Sequence, residues 1–236
     1  MIHQNLKKLR ESINEIARNC NRAPEEIQLV AVSKRFPATA MEEALQAGQM
    51  VFGENYLQEA AEKKRHLADR IKLHFIGNLQ SNKAKFAVET CDMVETIDRP
   101  KIVRALHKQL EIKDKQLDVL VQVNVGEDSR KSGILPSEAE SLLQYMKGFP
   151  RLQLRGLMTM PPFTADPEMA RAYFQDLRHL SDQMKAKGLL GNDGKIELSM
   201  GMSHDYHVAI EEGATLIRVG TAIFGKRPPL PHNRKD

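Results

Sequence analysis

The sequence has 236 residues, of which 41% are hydrophobic and 28% are charged, and its formal net charge is +4. This composition is typical of a globular domain with a sizeable core, and no apolar run approaches the ~20 residues of a membrane-spanning helix. Two isolated cysteines, Cys20 and Cys91, argue against a disulfide framework and favour a cytoplasmic location. Basic and acidic residues are interleaved and tryptophan is absent, so we expect no nucleic-acid surface.

The first predicted element is an amphipathic N-terminal helix with Leu6, Leu9, Ile13 and Ile16 on its apolar face. It lacks the continuous apolar centre of a signal peptide. Eight apolar segments rich in β-branched residues follow, and segments with helical periodicity separate them. The eight predicted strands are residues 29–34, 50–53, 73–77, 93–97, 118–125, 153–158, 196–200 and 215–220.

The intervening helices carry start and stop signals. The stretch 37–48 begins with proline and ends near glycine, and Ser137 and Glu140 have the spacing of a capping box. The longest predicted helix lies within residues 164–188 and ends at a glycine. We interpret the most basic stretch, residues 62–70, as a solvated helix face.

Eight strands that alternate with helices predict an α/β fold, a (β/α)8 TIM barrel, with a doubly wound open sheet as the alternative. We expect residues 1–236 to form a single domain with its core at about 5–227. The C-terminal tail, 228–236, is too proline-rich for a closing helix and is predicted to be irregular. The extra N-terminal helix would then cover the seam between the first and last strands.

Lys34 ends the first predicted strand, and in such a barrel the functional site lies at the C-terminal ends of the strands. An ammonium group in an apolar mouth is costly, so we expect the pKa of Lys34 to be lowered and its amine to be nucleophilic. The alternative is a lysine whose long side chain reaches the rim and stays charged.

The loops after the seventh and eighth strands form the usual phosphate site of this fold. Ser199 and Ser203 lie in "LSMGMS", and Gly220 and Thr221 lie in "GTAIFG". Ser203 is also a suitable N-cap for the next helix, whose free N–H groups attract anions. Ordinary turn chemistry better explains each turn alone, but two such turns on neighbouring strands favour a phosphate ligand.

A phosphate site beside a reactive lysine indicates a phosphorylated aldehyde, of which pyridoxal 5′-phosphate (PLP) is the common cofactor. Arg218 lies between apolar Ile217 and Val219 in the eighth strand, so it should face the barrel interior. There it would hydrogen-bond the pyridine nitrogen and keep it unprotonated, which weakens the ring as an electron sink. An internal ion pair is the alternative interpretation of Arg218.

Six segments together resemble the family of PLP homeostasis proteins, which is similar to the barrel domain of bacterial alanine racemase without that enzyme's second domain. They are "VAVSK", "FGENYLQE", "LHFIGNLQSNK", "LRGLMTM", "LSMGMS" and "IRVGTAIFG", in the family's order, and the resemblance extends from the first helix to Gly225. Asn78 stands where the family commonly has proline, and "SHDYH" has histidines where other polar residues are frequent. Neither departure touches the predicted site.

The resemblance implies a protein that holds PLP as a Schiff base, an internal aldimine, and supplies it inside the cell. PLP-dependent apo-enzymes would be the recipients, and the family has no established turnover. The residues implied are Lys34 for the Schiff base, Arg218 for the pyridine nitrogen, Ser199, Ser203, Gly220 and Thr221 for the phosphate, and Asn55, His74 and Met158 for the pocket lining.

The sequence leaves three functions open. We prefer a monomeric, cytoplasmic PLP carrier that is not an enzyme. A PLP-dependent amino-acid racemase needs a second base on the opposite face of the cofactor, and none of the four tyrosines is an obvious candidate. The third possibility is a phosphate-binding barrel in which Lys34 stays protonated and inert.

Three other polar residues have a functional and a plainer interpretation. Lys131, after the fifth strand, would be placed to meet a second phosphate or a departing PLP, but we prefer a solvated loop lysine. His204 and His207 share a helix face and would make half a metal site. No third ligand is near in sequence, so we expect exposed histidines and no metal.

Overall fold

A computed structural model describes residues 1–191 and 194–227, so the predicted irregular tail lies outside the described residues. Strands and helices alternate along the chain after one N-terminal helix. The strands are β1 (Gln28–Val32), β2 (Val51–Glu54), β3 (Lys72–Phe75), β4 (Met93–Ile97), β5 (Leu117–Gln122), β6 (Leu152–Met158), β7 (Glu197–Met202) and β8 (Leu216–Val219). The helices are α1 (Ile2–Asn19), α2 (Ala38–Gln46), α3 (Leu57–Leu67), α4 (Ala84–Thr90), α5 (Pro100–Lys113), α6 (Ala139–Met146), α7 (Arg171–Ala186), α8 (Tyr206–Glu211) and α9 (Thr221–Phe224).

The eight strands form a closed parallel barrel in chain order, and β8 pairs with β1 to complete it. The prediction of a (β/α)8 barrel is therefore confirmed, and the open sheet is wrong. Alternate strand residues fill the interior, while their neighbours pack against the helical layer. The apolar interior cluster consists of Val30, Val51, Met93, Leu120, Met158 and Leu216.

Helix α1 covers the seam between β8 and β1, as the sequence predicts. Leu6 on its buried face is fully inaccessible to solvent, and Asn5 Nδ2 donates to the Ile223 carbonyl at 2.9 Å. The rings of Phe36 and Phe224 stack with centroids 5.1 Å apart. The sequence predicts no helix after the eighth strand, but a single helical turn, α9, forms there. It is stabilised by the hydrogen bond from Asn5 on α1 and by the stacking of Phe36 on Phe224.

Two helical details differ from the predictions. Ser137 and Glu140 do not form the predicted capping box; instead the Glu138 carboxylate accepts the Leu135 N–H at 2.8 Å and caps the 3-10 turn of residues 136–138. A short 3-10 turn precedes α6 and moves the start of the helix. A similar turn shortens α7 to 16 residues, so α1, with 18, is the longest helix among the described residues. In that part of the chain no helix combines the length and apolar character needed to cross a membrane.

Because Leu6 anchors α1 over the seam, we expect Leu6→Ala to lower the free energy of unfolding by about 2–5 kcal/mol, the usual effect of a cavity in a packed core. Urea unfolding followed by circular dichroism measures the change. The matched control is Lys8→Ala, an exposed position on the same helix, which should stay within about 0.5 kcal/mol of wild type. Equal midpoints for the two variants would show that α1 does not hold the barrel closed.

Candidate functional site

Lys34 lies in the turn that follows β1, at the mouth formed by the C-terminal ends of the strands. The predicted first strand is therefore too long by two residues, and the side chain is half-buried rather than enclosed in a strand. Among residues 1–191 and 194–227, no hydrogen bond or ion pair joins the Lys34 ammonium to another group. Burial and the nearby charge of Arg227 lower the pKa of Lys34, although Glu54 opposes them. A larger fraction of this amine is therefore neutral, the nucleophilic form, than in an ordinary exposed lysine.

A chain of buried polar side chains crosses the barrel interior below the mouth. The guanidinium of Arg218 donates to Ser199 Oγ at 2.5 Å and to the Thr159 carbonyl at 2.7 Å. Ser199 Oγ donates to Glu95 Oε2 at 2.5 Å, and Glu95 Oε1 lies 2.7 Å from His74 Nδ1. The network therefore links β3, β4, β7 and β8 through hydrogen bonds that the surrounding apolar residues shield from water.

The two charges of this network face each other across Ser199. Burial alone would raise the pKa of Glu95, but the hydrogen bond from His74 and the charge of Arg218 hold it below its usual range. Burial lowers the pKa of Arg218, and the carboxylates of Glu95 and Asp205 oppose that shift. Because an ionised carboxylate only accepts hydrogen bonds, His74 carries its proton on Nδ1. Glu95 thus faces the positive charge of Arg218 and fixes the tautomer of His74.

Ser199 does not lie with the other three predicted phosphate residues, because Glu95 and Arg218 engage its hydroxyl inside the barrel. Ser203, Gly220 and Thr221 do come together. The Gly220 N–H donates to Ser203 Oγ at 3.3 Å, and Thr221 opens α9, whose first N–H groups have no partner within the helix. The turns after β7 and β8 therefore lie side by side and present polar groups at the mouth.

Ser203 does not cap α8, contrary to the prediction. Asp205 occupies the N-cap position, and its carboxylate accepts the Met202 N–H at 2.6 Å. Near the end of β7 the chain requires Gly201, which has φ +88° and where a Cβ would lie 2.5 Å from the Cβ of Ala209. This tight turn leaves the Ser203 hydroxyl directed toward Gly220 rather than toward the helix.

The remaining predicted pocket residues lie at different depths. Asn55 follows β2 at the mouth, and its Oδ1 is buried with no hydrogen-bond partner among residues 1–191 and 194–227. Met158 is fully buried and lies opposite Ser199 in the pairing of β6 with β7. Buried polar atoms are normally satisfied, so Asn55 Oδ1 indicates a partner other than the described residues.

The stretch 62–70 is not simply a solvated helix face, because Lys63 within it is only 3% exposed. Its ammonium donates to Glu54 Oε1 at 2.6 Å, to Glu59 Oε1 at 2.8 Å and to the Ser33 carbonyl at 2.7 Å. Burial raises the pKa of Glu54, while Lys63 and Ser33 oppose the shift. Glu59 and Lys63 lie on α3, whereas Glu54 ends β2 and Ser33 directly precedes Lys34 in the turn after β1.

Sequence reasoning overlooked two of these residues, Glu95 and Lys63, although each carries a signal. Glu95 follows Met93 by two positions in an apolar strand, which places both on the interior side. Lys63 falls on the buried face of α3, whose other members include Leu57, Ala60 and Leu67. The signal is the same for both residues: each is charged but occupies a position that the hydrophobic periodicity assigns to the core.

Lys131 and His204 have structural partners, and the ring of His207 lies edge-on to Tyr206; His204 precedes α8, so the two histidines do not share a helix face. Lys131 Nζ donates to the Pro161 carbonyl at 2.5 Å and to the Met160 carbonyl at 3.1 Å, so it is not a free solvated lysine. It joins the loop after β5 to the loop after β6. His204 Nε2 lies 3.1 Å from the Ala165 carbonyl. Within the described ranges, no group of three His, Cys, Asp or Glu side chains is arranged to hold a metal ion.

Comparison with known proteins identifies the type of barrel. Residues 4–228 match the family model described as "Alanine racemase, N-terminal domain". An alanine racemase of Clostridium difficile shares the fold with a TM-score of 0.72 at 14% identity, and the match covers 97% of this chain and 57% of the racemase. The barrel is thus of the alanine racemase N-terminal type.

Other relatives define the family more narrowly. The Pyridoxal phosphate homeostasis protein of Vibrio alginolyticus is 44% identical in an alignment of 232 residues. The alignment covers 96% of this chain and 97% of the relative. The structure of PipY from Synechococcus elongatus with PLP bound has a TM-score of 0.83 at 35% identity, covering 95% of this chain and all of PipY. The chain belongs to the family of pyridoxal phosphate homeostasis proteins, which confirms the resemblance that the sequence motifs indicate.

The interior network provides a test of its own. We expect Glu95→Gln to lower the free energy of unfolding of the cofactor-free protein by about 1–3 kcal/mol, because the buried Arg218 keeps its charge but loses the facing carboxylate. Urea unfolding measures the change, and Glu11→Gln on the exposed face of α1 is the control that keeps the same chemical substitution. If both variants unfold at the wild-type midpoint, the Glu95 carboxylate does not stabilise Arg218.

Proposed function

We propose that the protein binds PLP covalently through Lys34 and acts in the intracellular homeostasis and supply of this cofactor. The observation that carries the proposal is Lys34 itself: a half-buried amine with a lowered pKa, at the barrel mouth. A neutral amine condenses with an aldehyde to form a C=N bond and releases water. The relatives named for PLP homeostasis and the PLP-bound structure of PipY support PLP as the aldehyde.

The other residues at the mouth fit this cofactor. Ser203, Gly220 and Thr221 would hold the phosphate, since two adjacent turns present a hydroxyl and the free amides at the start of α9. A Cβ at Gly220 would lie 3.1 Å from the Val32 carbonyl, so glycine keeps this turn close to β1. Asn55 Oδ1, buried without a partner in the described chain, provides a polar contact for the ligand. His74 and Met158 are proposed to line the pocket from below, whereas Ser199 supports Arg218.

Arg218 favours storage of the cofactor over catalysis. Bound PLP supplies an electrophilic aldehyde and a ring that withdraws electrons from attached carbon. A guanidinium in this position would donate a hydrogen bond to the pyridine nitrogen without giving up its proton, because arginine is not deprotonated in proteins. It would thereby leave the ring nitrogen unprotonated and make the ring a weaker electron sink. Glu95 supports this role by facing Arg218 with a negative charge.

An amino-acid racemase is the second candidate, because the barrel shares the fold of alanine racemase. Racemisation needs a second acid–base group opposite Lys34. The hydroxyl groups of Tyr145 and Tyr206 lie 3.1 Å from Arg104 and 3.0 Å from Ser12, both on helices of the outer layer. These contacts hold two of the four tyrosines in the outer layer, which supports a carrier without racemase turnover to that extent.

The setting proposed for this function is the cytoplasm. Cys20 and Cys91 are unpaired, which fits a reducing compartment. PLP-dependent apo-enzymes are the proposed recipients of the cofactor. We propose that the carrier is a monomer, since its own N-terminal helix covers the barrel seam.

The covalent site is tested by visible absorption spectroscopy of wild type and Lys34→Ala with added PLP. We expect wild type to develop a visible Schiff-base band that borohydride abolishes, and Lys34→Ala to show none. The control is Lys8→Ala on the exposed face of α1, which should behave as wild type. A wild-type protein that binds PLP without this band would indicate a phosphate-binding barrel with an inert Lys34.

The same PLP-loaded samples separate carrier from racemase. Solvent deuterium should not enter the Cα position of added amino acids above the level of free PLP. Exchange that requires Lys34 and continues over many turnovers would establish racemase-like catalysis instead.

Arg227 provides a test based on pH. Removing its positive charge in Arg227→Gln takes away one cause of the lowered pKa of Lys34, so this pKa should rise. Less neutral amine is then present at a given pH, and the pH profile of covalent binding at saturating PLP should shift to higher pH. Initial rates of band formation measure the profile, with Arg18→Gln on α1 as the control. Coinciding profiles for wild type and Arg227→Gln would contradict this electrostatic role.

A further inference from the structure

A second group of buried charges lies behind the turn that carries Lys34 and takes no part in the functions proposed above. It consists of Ser33, Glu54, Glu59 and Lys63, which we call the Lys63 cluster. Glu54 is fully buried and Lys63 is 3% exposed. Burying an ammonium group costs several kcal/mol even after the protein relaxes, so its presence on the apolar face of α3 requires a compensating arrangement.

The arrangement uses every N–H of the Lys63 ammonium. The three acceptors are Glu54 Oε1 at 2.6 Å, Glu59 Oε1 at 2.8 Å and the backbone carbonyl of Ser33 at 2.7 Å. Two of these acceptors are carboxylates that face the single positive charge, and the third bond fixes the backbone at Ser33. A lysine offers three donors and no acceptor, so Lys63 is fully satisfied in this position.

The cluster holds the chain on both sides of Lys34. On the N-terminal side, Lys63 binds the Ser33 carbonyl, and Ser33 Oγ donates to Glu54 Oε1 at 2.6 Å. On the C-terminal side, the Arg35 N–H donates to Glu59 Oε1 at 2.6 Å. Both peptide groups that flank Lys34 are therefore bound to side chains that the buried ammonium holds together.

Arg35 shows that this turn needs such support. Its φ is +69°, a left-handed conformation that is unfavourable for a residue with a side chain. The hydrogen bond from the Arg35 N–H to Glu59 and that from the Phe36 N–H to the Ser33 carbonyl, at 3.0 Å, both hold the chain after Lys34 in this conformation. A different conformation at Arg35 would redirect the side chain of Lys34.

We propose that Lys63 is a positioning residue for Lys34: it binds Glu54, Glu59 and the Ser33 carbonyl, and so fixes the turn from which the Lys34 amine meets the aldehyde. This inference rests on the proposed covalent binding of PLP by Lys34. The inference separates covalent bond formation from phosphate binding. Among the described residues, no hydrogen bond joins the Lys63 cluster to the turns after β7 and β8.

The test compares Lys63→Met with Lys64→Met, an adjacent lysine of the same helix. Lys64 is a matched control because it also binds a carbonyl, that of Ile71, and a carboxylate, that of Asp92, but not the turn of Lys34. Two probes are used: PLP, followed by its visible band, and pyridoxine 5′-phosphate, which lacks the aldehyde and binds only non-covalently.

We expect Lys63→Met to form the covalent band about 10- to 100-fold more slowly than wild type, the usual effect of a displaced reactive group. Its affinity for pyridoxine 5′-phosphate should remain within about twofold of wild type, and Lys64→Met should match wild type with both probes. An unchanged band rate in Lys63→Met would overturn the inference. An equal loss with both probes would also overturn it, because it would indicate a general structural role.

Two further comparisons keep the test decisive. If Lys63→Met does not fold, Glu59→Gln replaces it, since this variant keeps the Lys63–Glu54 pair and weakens the contact with the Arg35 amide. The same slow band with retained pyridoxine 5′-phosphate binding is expected, and wild-type behaviour would overturn the inference. A wild-type protein without a covalent band would instead refute the proposed function on which the inference rests.

Discussion

The pairing of β8 with β1 is the constraint on which the candidate site depends. It joins the two ends of the barrel sequence and places Val30 opposite Arg218 and Ala31 opposite Val219. Because parallel strands end at the same edge, this register brings the turn of Lys34 beside the turn that begins at Gly220. The proposed nucleophile, after the first strand, and the proposed phosphate site, after the last two strands, meet only if the barrel closes in this register.

The strands and their order were predictable, because each strand buried on both faces is a short apolar run bounded by turn residues. Lys34 and Arg218 were also predictable as charged residues within such runs. Ser199 and Ser203 were not separable, since the pairing of β7 with β8 shifts register between Ser199 and Met202. No local periodicity reveals that irregularity, which directs one serine into the barrel and leaves the other at the mouth.

The contacts of Glu95 and Lys63 were beyond sequence reasoning for a different reason. Their positions indicate burial, but their partners come from other elements: Ser199 lies on β7, and Ser33 follows β1. Such pairings depend on three-dimensional assembly. The carboxylate of Glu95 faces Arg218, and the ammonium of Lys63 holds the groups that bind the peptides on both sides of Lys34. Each buried charge therefore supports a residue of the proposed PLP site. Buried ion pairs contribute little net stability, so their value here lies in conformational definition.

The hydrogen bond from Asn5 to the Ile223 carbonyl makes α1 and α9 parts of one cooperative unit. Since α9 begins at Thr221, any ligand that tightens this turn also favours the docked state of α1, and thermodynamic linkage makes the effect reciprocal. Fraying of the N-terminus would therefore weaken binding at the far end of the barrel sequence. Amide exchange in the first turn of α1 thus becomes a remote reporter of cofactor loading.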